Sequence, residues 1–301
     1  LNLPIWVFFF TVLLLSMLGS AASLLTDIYT SDMDQRPSVL QQIFHLAGGF
    51  FSGIHMIFSF QSFYNLWTLV NIRSCYSTTV YFLFIFYKNY KNLETLSRIW
   101  FLGGLLFAVF SSLGVFNLSF MKINHHISQD LYLASTYFYL HFQYNGFFIF
   151  SCIGLLINML ENIGAKLNSS EIYLTFWLLF FSCFLGFGLS VLWLELPIWL
   201  YSMIVLSSLV QILANVKILF WVRKNWMLIL EKFTPLERFI LIFVGVAFFA
   251  KVLLQLASTI PAISQFAFGF RNIVIAYLHL ILLMCITGFL IFNLLTSKIF
   301  R

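Results

Sequence analysis

The sequence predicts an all-α fold, a polytopic transmembrane helix bundle of about nine spanning helices, and three observations carry that expectation. Hydrophobic residues make up 61% of the 301 positions and charged residues only 9%, whereas soluble domains are near half apolar and about a quarter charged. Apolar runs of roughly 20 residues, the length that crosses a bilayer, recur from one end of the chain to the other. The cations gather between those runs, where the positive-inside bias places them.

The first run is Leu3 to Leu25, closed by the polar stretch Thr26 to Ser38. Val39 to Phe63 follows, with His45, Gly48, Gly49, Gly53 and His55 inside it, and then Leu66 to Tyr87, the weakest run because Asn71, Arg73 and Ser74 sit in its first half. Lys88, Lys91 and Arg98 lead to Ile99 to Phe120. A loop carrying Lys122, His125, His126 and Asp130 precedes the fifth run, Leu131 to Leu160. Ile172 to Leu194 and Ile198 to Val222 are parted only by Glu195, Leu196 and Pro197, so they predict a tight antiparallel hairpin. The basic loop Arg223 to Arg238, with Pro235 as a helix starter, leads to Leu236 to Ala257. A turn at Thr259, Pro261 and Ser264 introduces the last run, Phe266 to Leu295. No repeat or linker divides the chain, which reads as one transmembrane domain over 1–301.

The lipid bilayer is therefore the first partner to expect, and the net charge of +6 reports topology rather than affinity for nucleic acid. With nine crossings and a cytoplasmic C-terminus, one side collects eleven of the cations, among them Arg36, Lys91, Arg223, Lys224 and Arg238, and the other keeps only Arg73, Lys122 and Arg271. The N-terminus is accordingly placed outside, in a membrane of the bacterial inner type. No charged region followed by a short apolar stretch and a cleavage site opens the chain, so no removable leader is expected. The four cysteines fall in separate apolar runs without C-x-x-C spacing, which argues against a disulfide framework, a zinc site or covalently attached haem. The 39 phenylalanines suit a surface of rings facing lipid, or a bundle packed around a cofactor.

Ionisable groups at membrane depth are costly and point to function. At about 1.5 Å of rise per residue, His55 lies about 12 Å below the outer boundary, and His141 and His279 about 14 Å below it. Neutral imidazole is a common ligand for iron, copper and zinc, and helix bundles build such sites from facing helices. Convergence of His141, His279 and His55 would hold haem b, or copper. Arg271 would pair with haem propionates, and Gln143, Tyr144 and Asn145 would orient the ligand imidazoles. An interhelical hydrogen-bonding role for each histidine stands beside that reading.

Thr136-Tyr137-Phe138-Tyr139-Leu140-His141-Phe142-Gln143-Tyr144 resembles the T-Y-x-x-x-x-H-F-H-Y helix of haem–copper oxidase catalytic subunits. The gap after Thr136-Tyr137 is one residue shorter here, and Gln143 stands in place of the second histidine. The resemblance implies that His141 ligates a haem in an electron-transfer or gas-binding protein, with respiratory-complex subunits as partners. A reading of a different class rests on Lys251, deep in its run with Gln255 four residues on. There the chain is a cofactor-free transporter or channel with a polar path lined by Lys251, Gln143 and Asn145. No Ser-His-Asp set, phosphate-binding loop or dinucleotide motif appears.

Overall fold

The computed structural model describes residue 80 and residues 95–123, 128–194 and 196–296, with Lys122, Ile123 and Arg271 described in backbone only. The first three apolar runs, with His45 and His55, and the pair His125-His126 lie outside the described residues. Every element among the described residues is helical, and six helices are long and apolar enough to cross a membrane.

In chain order these are α1 (Arg98–Ile123); α2 (Gln129–His141), which runs through a π-helical segment, π1 (Phe142–Phe148), into α3 (Ile149–Asn162); α4 (Ser169–Gly186), ending in a 3₁₀ turn (Phe187–Val191); and α5 (Ile198–Lys224). The short α6 (Trp226–Lys232) precedes α7 (Pro235–Ala257), and α8 (Pro261–Gly269) precedes the final span of α9 (Arg271–His279), π2 (Leu280–Thr287) and α10 (Gly288–Thr296).

Local chemistry explains most ends. Pro235 opens α7 from its first turn, and Thr234 and Glu237 form a reciprocal capping box, with Thr234 N–H donating to Glu237 Oε2 over 2.7 Å. Asn168 caps α4 by accepting from Ser170 N–H at 3.1 Å. α3 stops where Gly164 takes φ +87° and Ala165 N–H reaches back to Leu160 O at 2.9 Å, a left-handed closure that favours glycine.

Three expectations need correcting. The run from Phe266 to Leu295 is not one helix: Phe270 is extended (φ −117°, ψ 100°) and separates α8 from α9. The turn expected at Pro261 and Ser264 is itself helical, because proline at the first helical position starts a helix rather than breaking one. Likewise the basic loop after α5 contains α6.

The α2–π1–α3 span is the most buried of the six and forms the centre of the bundle. It packs against α1 through small and polar residues. Ser111 donates to Gln143 Oε1 at 2.9 Å, Asn117 donates to Ser135 Oγ at 2.7 Å, and Gly114 lies between them. This combination of close backbone approach and interhelical hydrogen bonds is typical of helix pairs in lipid. Deeper in, Phe107 lies 5.8, 5.1, 4.9 and 5.1 Å from the rings of Phe142, Phe150, Phe180 and Phe184. Many phenylalanines thus pack on one another across α1, π1 and α4, while Phe120, Phe181, Phe220 and Phe239 are exposed as a lipid-facing surface would be.

The hairpin expected from Glu195-Leu196-Pro197 forms. α4 and α5 lie together, and Ser207 Oγ and Gln211 Nε2 both donate to Ser182 O, at 2.8 and 3.2 Å. α7 packs against α5 on one side and against π2 and α10 on the other.

Candidate functional site

His141 is the last α-helical residue before π1. Widened π turns break the regular α ladder and are frequent at functional positions. The ring is buried against α4. Its Nε2 lies 2.9 Å from Cys183 O, so Nε2 carries the proton and donates to that carbonyl. Nδ1 is then the acceptor, approached by Asn145 Nδ2 at 3.3 Å and by Ser190 Oγ at 3.4 Å. Cys183 Sγ lies 3.9 Å from Nε2. A neutral imidazole has one donor and one acceptor nitrogen, and both are occupied here. His141 thereby ties π1 to the 3₁₀ end of α4.

Below His141 a chamber of about 20 Å³ is walled by Asn145, Cys183, Gln211, Asn215 and Lys251, with Ile149, Phe150, Leu179 and Phe248 completing it. That is room for one or two waters. Lys251 is 3% exposed. Its ammonium makes no hydrogen bond and no ion pair among the described residues. The Phe248 ring stands 5.8 Å from Nζ to centroid, close enough for a cation–π contact. Oδ1 of Asn145 and Oδ1 of Asn215 are buried without partners. Gln255, one turn beyond Lys251, also has an unpartnered buried Oε1. Unpaired buried groups of this kind are rare, and two of them, Asn145 Oδ1 and Asn215 Oδ1, belong to residues that line the chamber.

The other sequence-expected residues divide. Asn145 and Lys251 meet at the chamber, but Gln143 does not line it. Two residues apart on a helix point to different faces, and Gln143 is turned toward α1, to Ser111. Tyr144 is buried with its ring stacked 5.9 Å from Phe148 and its hydroxyl without a partner. His279 is exposed, and its Nδ1 donates to Ile275 O of its own helix at 2.8 Å. Arg271 opens α9. Among the described residues His141 and His279 do not meet, since both nitrogens of His141 are engaged within the protein and His279 is exposed, while His55 lies outside the described residues. No group of three or more His, Cys, Asp or Glu suited to a metal ion occurs among the described residues.

Reading single side chains missed Gln211, Cys183 and Ser190. The signal for the first was present: Ser207, Gln211 and Asn215 recur every four residues on α5 and form one polar stripe. Comparison with protein families, with curated proteins and with solved structures returns no match.

The His141 bonds make a direct prediction. His141→Ala is expected to cost about 3 kcal/mol, because it leaves Asn145 Nδ2 and Ser190 Oγ without their acceptor inside the bundle. His279→Ala is expected to be near neutral. Thermal unfolding in detergent checks both, and equal effects would refute the asymmetry.

Proposed function

We propose that this chain is a cofactor-free membrane transporter or channel whose polar path passes through the chamber between Asn145, Asn215 and Lys251. One observation carries the reading: a lysine in the middle of an apolar helix, 3% exposed and without an ion pair among the described residues, shares a chamber with Asn145 and Asn215, whose amide oxygens are buried without partners. Ionisable residues inside a bundle face one another or a wet cavity, and they mark ion and substrate routes. In this reading the protein sits in a bacterial inner membrane with the C-terminus cytoplasmic, on the strength of the cation asymmetry.

The test is flux. Proteoliposomes loaded with a pH-sensitive dye should pass protons or a small anion such as acetate faster than protein-free vesicles, and Lys251→Met should return them to the protein-free rate. Unchanged flux in that variant would remove the reading. The haem alternative separates by colour. The expected result is purified protein without a Soret band and without iron or copper by metal analysis. A Soret band that falls in both His141→Ala and His279→Ala would put a haem protein, with respiratory-complex partners, in its place.

A further inference from the structure

Beside the polar chamber lies a second cavity of about 400 Å³, between α3, α5, α7 and π2. Apart from the thiols of Cys152 and Cys285 and the indole of Trp226, its lining side chains are hydrocarbon. The two cavities share walls: Ile149 and Phe248 line both. Phe248 also stands 5.8 Å from the Lys251 ammonium, so one ring borders both the cation's chamber and the oily pocket. Leu219 on α5 and Ile242 and Val246 on α7 line the larger cavity and are themselves exposed, which opens it sideways between those two helices toward lipid.

We infer that the chamber and the pocket together bind a long-chain carboxylate, its head at Lys251 and its hydrocarbon tail in the pocket. This rests on the transport reading and names the substrate class for it. The charge argues for the head: Lys251 has no carboxylate partner among the described residues, and a buried cation is stabilised by an anion brought to it. Oδ1 of Asn215 is buried without a partner, and the amide can present either end to the carboxyl group. The volume and lining argue for the tail, since ligand pockets are commonly several hundred Å³ and mostly apolar with a few placed polar groups. The lateral opening lets such a molecule enter from the bilayer without crossing water.

Gly245 supplies a selective test. It lines the pocket, and a Cβ added there would meet nothing within 4 Å, so Gly245→Phe brings a ring to the tail site from a position where the first added carbon has open space. Radiolabelled palmitate should bind the full chain in lipid nanodiscs saturably, and at least tenfold more weakly in Gly245→Phe and in Lys251→Met. Hexadecanol, with the same tail and no charge, should be weakened by Gly245→Phe and not by Lys251→Met. No saturable palmitate binding to folded wild type, as when another part of the chain fills the pocket, would overturn the inference, as would equal binding in wild type and both variants. Lys251-dependent proton or acetate flux without palmitate binding would sink this inference and leave the transport reading standing. Palmitate binding as expected without flux would do the reverse.

Discussion

Lys251→Met is expected to abolish flux while making the protein harder to unfold, by about 1–3 kcal/mol. Methionine keeps the length and apolar stem of lysine and removes the ammonium. Lys251 is 3% exposed and has no carboxylate beside it among the described residues, only the Phe248 face and the neutral groups of the chamber, so the native residue keeps a charge without a counter-ion in a low-dielectric interior. Stability should therefore rise when it goes. A residue that destabilises its own fold and is needed for activity belongs to the function rather than to the scaffold. Flux assays in proteoliposomes and thermal unfolding of the same preparation read the two effects together. Loss of flux with lowered stability would mean that the ammonium has a structural partner, and the chamber would then be part of the packing.

Gly114→Val is expected to be among the most destabilising single changes in the described bundle, costing about 3 kcal/mol. A Cβ at Gly114 would lie 2.6 Å from Ser135 O, 3.0 Å from Tyr139 N and 3.2 Å from Tyr139 Cβ. Two of those three atoms are backbone, so no side-chain rotation relieves the contact. Instead α1 and α2 must part. Overpacking of this sort costs about 1–3 kcal/mol, and parting the helices also lengthens the Ser111–Gln143 and Asn117–Ser135 hydrogen bonds, worth about 0.6 kcal/mol each in membranes. Gly245→Ala on α7 is the control, since open space surrounds that position and alanine improves a helix by about 0.5–1 kcal/mol. Size-exclusion profiles after a heating series would rank the variants, and equal survival of Gly114→Val and Gly245→Ala would refute the close approach.

The spans from α1 to α7 were legible because an apolar run of the right length has few alternatives in lipid, and because Pro235, Thr234 and Glu237 announce a helix start by local chemistry. The break at Phe270 was not legible. Its neighbours are apolar and its extended backbone reflects where α8 and α9 must go, not what residue it is. At the site, the sequence singled out His141, Asn145 and Lys251 as deep polar residues. It did not show that Asn145 turns toward Lys251 while Gln143, two positions earlier, turns away. That choice depends on the phase of the π turns, which the apolar letters around them do not encode. Depth matching brought His279 level with His141 but carried no information on azimuth, and the structure puts the former on the outside and the latter within. The polar stripe Ser207, Gln211 and Asn215 needed only a period count along α5.

The π1 segment also makes the central span two rods with separately set rotations. Removing one residue from a helix turns everything beyond it by about 100° relative to what came before, so the wide turns at Phe142–Phe148 fix an angular offset between His141 above and Ile149, Phe150 and Ile153 below. The upper rod can aim an imidazole at the end of α4 while the lower one keeps its oily side against the neighbouring helices. One unbroken helix could not satisfy both demands, and the offset places Asn145, at the joint, beside Lys251.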